Sequence, residues 1–329
     1  MPIYSISMKK SGVKISYSFV KILTGSDLSR RRLPLMLAES PNPGPVVWLT
    51  GCAHGDEVGG IATIQEVFKK IKTFLKKGSL YAFPLMNPTG FETTSRQIVM
   101  SKEDLNRSFP GDANGSLAQR IAEKIFSYIE STGPELVLDL HNDWSKSIPY
   151  TLIDPDPGPE HAKAYAKAKS FAASSGFLNI LETEEYGYNN TLTYSLLRKN
   201  IPALALELGE SYVVNEVNIG YGIGSIWNIL GELGMVDATD GVFEYNLPEK
   251  VKGRVLSYTD RPFCSYSGVI RFMVKPGDMV RKGQKLARIH NAFGKNLETL
   301  AALRDGIVLG HTDYGVAFPG AKIIVFGVV

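Results

Sequence analysis

Residues 45–60 read PVVWLTGCAHGDEVGG, and this stretch decides the fold class. Pro45–Leu49 is a continuous apolar run, the pattern of a central strand covered on both faces. Glycines then turn the chain. Over Glu57–Lys77 apolar residues recur at Val58, Ile61, Ile64, Val67, Phe68, Ile71 and Leu75. Spacings of three and four mark an amphipathic helix. Outward from this unit, Val13–Gly25 and Arg32–Ala38 read as paired strands. Leu80–Leu85, Leu136–Leu140 and Ala203–Leu208 also read as strands. Ser116–Glu130, Glu160–Ser175 and Thr191–Lys199 read as helices. This alternation predicts an α/β fold with a mixed, mostly parallel sheet flanked by helices.

The alternation stops near Asp240. Tyr245–Arg254 (YNLPEKVKGR) is polar and reads as a linker. Beyond it, Ser267–Ile289 and Asp305–Val325 resemble each other: each opens on Gly and two apolar residues and closes on a further Gly-containing turn before an apolar run. The expectation is a larger α/β domain over 1–245 and a small all-β, barrel-like domain over 246–329, built from two related halves.

The chain has 329 residues, enough for one large domain and a small one at ~100–200 residues per domain. A net charge of +3 gives no electrostatic case for a nucleic-acid partner or a polybasic membrane anchor. No apolar run approaches the ~18 residues that span a bilayer, and the start, MPIYSISMKKSG, has no signal-peptide h-region. Two cysteines, Cys52 and Cys264, supply neither a disulfide framework nor a Cys-based zinc site. The expectation is a cytoplasmic protein; the oligomeric state is open, a homo-oligomer included.

Four stretches carry chemistry. In Leu49–Gly60, His54 and Glu57 lie three apart across a turn at a strand's carboxyl end, where open α/β sheets bind ligands. They read either as metal ligands or, for Asp56 and Glu57, as acids in a helix first turn. In Leu136–Asn142 (LVLDLHN), His141 follows a buried strand. With His54 and Glu57 it completes the two-imidazole, one-carboxylate set of catalytic zinc sites. Asp139 reads either as a partner for that imidazole or as a buried hydrogen-bonding acid. The remaining histidines, His161, His290 and His311, are assigned surface or structural roles. The long polar stretch Asn87–Gly111 holds Arg96, Asn106 and Arg107, which read as a grip for an anionic group or as solvated loop residues. In Ala203–Glu210 (ALALELGE), Glu207 interrupts an apolar strand, a costly place for an acid without a partner or a task. Such a carboxylate beside zinc can act as general base.

In this order, GCAHGDE (51–57), DLNRSFPG (104–111), LDLHN (138–142) and LELGE (206–210) resemble the aspartoacylase and succinylglutamate desuccinylase family, a branch of the zinc carboxypeptidase-like hydrolases. The resemblance spans residues 45–240. It implies one zinc ion (Zn2+) per chain held by His54, Glu57 and His141, Asn106 and Arg107 gripping a substrate carboxylate, and Glu207 as general base and acid. It also implies Arg96 as the arginine that polarises the scissile carbonyl. The C-terminal segment is similar to the family's small β-barrel and to a biotinyl/lipoyl-type hammerhead. The carrier Met-Lys-Met hairpin is absent; the corresponding turn reads HNAFGKNLE (290–298).

The function expected is therefore a zinc-dependent deacylase that cleaves the amide of a small N-acylated amino acid or related carboxylate. The rivals are a metallocarboxypeptidase for short peptides and a non-catalytic binding protein on the same scaffold. The acyl group and the amine are not legible. Tyr186 and Tyr188, in the loop Glu182–Asn190, read either as pocket residues or as packed aromatics.

Overall fold

The computed structural model describes residues 12–24, 28, 30–183, 187–237, 241–312 and 314–329. The N-terminal stretch 1–11, Gly25, Tyr186 and Asp240 lie outside them. Two antiparallel strands, β1 (Lys14–Thr24) and β2 (Arg30–Glu39), come first. They are followed by β3 (Val46–Gly51), α1 (Gly59–Phe74), β4 (Ser79–Phe83), the short α2 (Pro88–Glu92), α3 (Leu117–Ser131) and β5 (Leu136–His141). Next come β6 (Lys146–Ser147), β7 (Tyr150–Ile153), α4 (Ala162–Ser174), β8 (Leu178–Leu181), α5 (Leu192–Leu197), β9 (Ala203–Glu207) and α6 (Glu216–Glu232). The rest is strand: β10 (Val255–Thr259), β11 (Gly268–Phe272), β12 (Met279–Val280), β13 (Lys285–His290), β14 (Asn296–Ala301), β15 (Gly306–His311), β16 (Val316–Ala317) and β17 (Ile324–Val328). Among the described residues no helix is long and apolar enough to cross a membrane.

The main sheet runs β1-β2-β4-β3-β5-β9-β7-β8-β10-β17-β15-β12, with β6 on β15. Its middle, β4-β3-β5-β9, is parallel; β7 is antiparallel to β9 and parallel to β8. The expected mixed α/β sheet is therefore present. From β3 the chain moves outward to β4, then returns to set β5 on the other flank of β3. Loops leaving β3 and β5 thus part in opposite directions and open a crevice at their carboxyl ends.

Burial on both faces explains the unbroken apolar run of β3. On one face Val47 and Leu49 join Ile64, Val67 and Ile71 of α1 in one core cluster. On the other, Trp48 joins Ile125 and Ile129 of α3. Each such side chain taken fully out of water contributes roughly 1.5–3 kcal/mol.

Helix α1 begins at Gly59, two residues later than its periodicity predicts, so Asp56 and Glu57 precede it and its first turn holds no acid. Its first N–H is instead met by a distant side chain: Gly59 N donates to Asn142 Oδ1 at 2.9 Å. Helix α3 starts where expected, on a capping box of Ser116 and Gln119.

Three elements carry little sequence signal: β7, β8 and α6. Four glycines (Gly220, Gly222, Gly224 and Gly231) disguise α6, since each weakens a helix by roughly 1 kcal/mol relative to Ala. Packing requires two of them to be small. A Cβ on Gly224 would sit 2.7 Å from the Phe243 ring, and one on Gly222 would sit 3.0 Å from Leu208.

The expected linker is also corrected. Residues 245–254 form no regular element but are not a loose tether. Tyr245 packs edge-on against Phe177 and Tyr221, its N–H donates to Gly176 O, and Val251 is fully buried.

The two similar C-terminal segments interlock. In the first, β11 pairs with β13; in the second, β15 pairs with β17. The short middle strand of each half crosses over, β12 onto β15 and β16 onto β11. The flanking strands cross as well, β10 onto β17 and β14 onto β13. Ile270, Leu286, Ile289, Ile324 and Phe326 pack between the two resulting sheets. The hydrogen-bonded ladder does not stop at residue 245, because β10 pairs in parallel with β8.

Candidate metal centre and active site

Between β3 and α1 the chain must reverse in few residues, and Cys52 takes a left-handed conformation (φ 54°) to do so. Gly55 fills the tightest point: a Cβ there would lie 1.9 Å from the Gly90 carbonyl carbon. This turn carries His54 and Glu57 inward, both almost fully buried. His141 is the last residue of β5, in register with Glu207 at the end of β9. Three parallel strand ends therefore deliver His54, Glu57, His141 and Glu207 to one place.

Ligand atoms of His54, Glu57 and His141 lie within 4.8 Å of one another, the one such group among the described residues. His54 Nδ1 faces Glu57 Oε1 at 2.6 Å, and His141 Nδ1 faces Glu57 Oε2 at 2.7 Å. Each ring's other nitrogen meets a second acid, His54 Nε2 with Asp104 Oδ1 at 3.0 Å and His141 Nε2 with Asp139 Oδ2 at 2.8 Å. Asp139 Oδ1 in turn accepts from the Thr50 hydroxyl at 2.6 Å. Imidazoles fixed by outer carboxylates, with their inner nitrogens turned to a shared carboxylate, are a donor set and support that fit a metal ion such as zinc.

The electrostatics favour positive charge here. Burial opposes ionisation of Glu57, yet His54 and His141 beside it hold its carboxyl well below the usual range. Burial likewise works against a charged His141, but Asp139 and Glu57 push its pKa well up. Asp104 is held low against burial by its bond to His54 and by Arg96 and Arg107. Cys52 stands outside this ligand group, and burial, with Glu57 and Asp56 nearby, pushes its thiol up to about 12.

Every expected site residue lines one cavity of about 570 Å³: His54, Glu57, Arg96, Asn106, Arg107, His141 and Glu207. Arg96 donates to Asp104 Oδ2 at 3.2 Å and to Glu57 Oε1 at 3.4 Å. The Asn106 amide is anchored, its Oδ1 accepting from Leu192 N at 2.9 Å and its Nδ2 lying 3.3 Å from His141 Nε2. Arg107 Nη1 donates to Asn106 O at 2.9 Å. Glu207 is buried, and its Oε2 has no hydrogen-bond partner. Burial, followed by the charges of Asp143 and Glu57, raises its pKa well above the ordinary value. Tyr188 also faces this cavity. His161, His290 and His311 do not; His311 stacks on Phe272 at 4.0 Å instead.

Sequence patterns alone miss several members of the site. Asp104 sits in the quoted DLNR segment but has no periodicity to mark it. Asp154 and Glu182 follow β7 and β8, two strands without clear signal. Tyr258, Asp260 and Lys322 reach the cavity from the C-terminal strands, with Lys322 Nζ 2.6 Å from Asp260 Oδ2. In an adjoining pocket that also reaches Glu57 and Arg96, the Tyr212 and Tyr314 hydroxyls meet at 2.9 Å.

Comparison with known proteins follows the same residues. Residues 43–231 match the family model for the succinylglutamate desuccinylase/aspartoacylase catalytic domain. The N-alpha-acetyl-L-2,4-diaminobutyric acid deacetylase of Halomonas elongata is 26% identical over 308 residues, 89% of this chain and 86% of that protein. The product-bound ectoine utilization protein EutE (DoeB) of Ruegeria pomeroyi superposes with a TM-score of 0.82 at 21% identity, covering 100% of this chain and 99% of that one. A metallo-carboxypeptidase from Burkholderia cenocepacia shares the fold over 66% of this chain and 65% of its own, with a TM-score of 0.52 at 16% identity. The expected carboxypeptidase-like architecture is thus present, and the match covers more than half of the sequence. The chain belongs to the succinylglutamate desuccinylase/aspartoacylase family.

Proposed function

We propose that the chain is a zinc-dependent amidohydrolase that removes the acyl group from a small N-acylated amino acid. The observation that carries this reading is the meeting of His54, Glu57 and His141 around one point, in the same cavity as the unpartnered Glu207 oxygen. The deacetylase name of the Halomonas elongata relative supports the reaction class. Zinc held by the three ligands would supply Lewis-acid polarisation and would acidify water towards a pKa of ~7.

The chain's own groups do the remaining work. Glu207 accepts the proton of the attacking water and returns it to the departing nitrogen. Its buried setting makes the carboxylate a stronger base than a solvated one. Arg96 donates to the acyl oxygen as negative charge grows there. Arg107 pairs with the substrate carboxylate, and Asn106 stands beside it, fixed by Leu192. Tyr258, Asp260 and Lys322 close the cavity from the β-domain and limit the size of what enters. Excising that domain is not a clean test of this role, because it would strip β8 of its neighbour β10.

The test is a screen of acetyl-, succinyl- and formyl-amino acids against dipeptides, using zinc-replete protein and free amine as the readout. Cleavage of the acyl compounds supports the reading, and cleavage of dipeptides alone replaces it with a carboxypeptidase. Glu207→Gln should keep its zinc and lose turnover by ~10²-fold or more. A near-normal rate would remove Glu207 from its role.

A further inference from the structure

Away from the metal centre, the cavity wall carries a pair of acids that the hydrolytic chemistry does not use. Strands β7 and β8 run in parallel, with Ile153 opposite Leu181. The next residue on each is acidic, Asp154 and Glu182. Glu182 N donates to Ile153 O at 2.9 Å, so the two strand ends are tied together where the acids emerge. Both acids line the 570 Å³ cavity. Asp154 is only 7% exposed, and its Oδ2 has no hydrogen-bond partner. Among the described residues neither acid makes a salt bridge. Two of the cavity's cations are paired with other acids, Arg96 with Glu57 and Asp104, and Lys322 with Asp260.

A buried carboxylate oxygen without a partner, such as Asp154 Oδ2, is costly unless something arrives to meet it. Beside it Glu182 is half-buried, its Oε1 accepting from Thr183 N at 3.0 Å, and the two carboxyls together suit one arriving cation. Arg107 lines the same cavity, so the proposed carboxylate grip and the acid pair share one space. An arginine in the same cavity as two acids complements a ligand with the opposite arrangement, a carboxylate a few bonds from an ammonium group that would draw both acids into their charged form. Resting on the deacylase reading above, we propose that Asp154 and Glu182 form the subsite for a positively charged side chain, so that the preferred substrate is a small N-acylated diamino acid whose second amino group is free and protonated.

The test compares kcat/KM of the zinc-loaded full chain on Nα-acetyl-L-2,4-diaminobutyrate, on its uncharged counterpart N-acetyl-L-2-aminobutyrate and on N-acetyl-L-aspartate. The diamino compound should exceed the uncharged one by ~30-fold or more, as for other desolvated charge pairs, with the aspartate slowest. In Asp154→Asn and Glu182→Gln the ratio of diamino to uncharged substrate should fall to about 5 or less, mainly through KM for the diamino compound. Two isosteric variants guard against a folding defect in one. Equal rates on charged and uncharged substrates, or an unchanged ratio in both variants, would overturn the proposal and leave the deacylase reading intact. Should no acyl-amino acid be cleaved, the deacylase reading fails, and calorimetry with free L-2,4-diaminobutyrate and L-2-aminobutyrate decides the subsite. Tighter binding of the diamino acid, lost in both variants, supports it; equal binding or none overturns it.

Discussion

Two regions of one cavity lining treat carboxylates in opposite ways. Beside the ends of β3 and β5, the buried Glu57 and the part-buried Asp104, which comes from the loop after α2, sit among imidazoles and arginines and are held in their charged form. At the ends of β7 and β8, burial pushes both Asp154 and Glu182 up to about 7. Burial is common to both walls, so the difference lies in the partners each has within the chain. On the first wall the carboxylates meet imidazoles and arginines of the chain itself. On the second, Asp154 Oδ2 meets no hydrogen-bond partner among the described residues. A shared degree of burial therefore says little about a carboxylate's task until its neighbours are known.

The largest expected effect breaks the first wall. Glu57→Gln removes the carboxylate that both Nδ1 atoms face, so zinc content by elemental analysis should collapse. Turnover should fall by more than the ~10–100-fold typical of a group that only supports a ligand. Asp139→Asn should fall within that smaller range with zinc largely retained. Equal losses in the two variants would erase the distinction between holding the ion and holding the imidazole.

A middle effect concerns how tightly that wall is built. Gly55→Ala places a methyl against the Gly90 backbone and should cost about 3 kcal/mol, the upper end for overpacking, read from the urea midpoint. An unchanged midpoint would mean that the turn has slack and does not fix His54 and Glu57 as argued.

The smallest effect sharpens the view of the second wall. Asp154 titrates at about 7 in the folded chain, far above an unfolded aspartate near ~3.9. Between those values the unfolded chain gives up a proton that the folded chain keeps. Stability from this group is therefore greatest below pH ~4 and is lost as pH rises through about 7. Asp154→Asn abolishes that loss, so the variant should gain on the parent as pH rises from 4.5 to 8, the gap widening by at most about 1.4 kcal/mol per pH unit. The same gain at both values would show that the carboxyl is not held proton-bound by burial. A stabilised variant with poorer selectivity is the usual trade at a binding site.

Much of the first wall was legible in the sequence. His54, Glu57, His141 and Glu207 stand at the ends of strongly apolar strands, where a polar residue is conspicuous and where α/β sheets place their chemistry. The second wall was not. The strands that carry Asp154 and Glu182 have only four residues each, too few for alternation to register, and helix α6 was hidden by glycines that serve close packing. Residues 245–254 looked like a tether because their polarity masks Tyr245 and Val251, which the core absorbs.

By itself, the sequence determined the alternating strands and helices, the glycine turn after β3, the related halves of the β-domain and the identity of the residues at three strand ends. These follow from local periodicity and residue type, which act within a turn or a strand. Only the tertiary structure decided that Asp104 and Asp139 back the two imidazoles, that Asp154 and Glu182 stand together, and that Lys322 reaches the same cavity. Those pairings depend on strand order and register, which bring distant segments side by side and are set by the packing of the whole sheet.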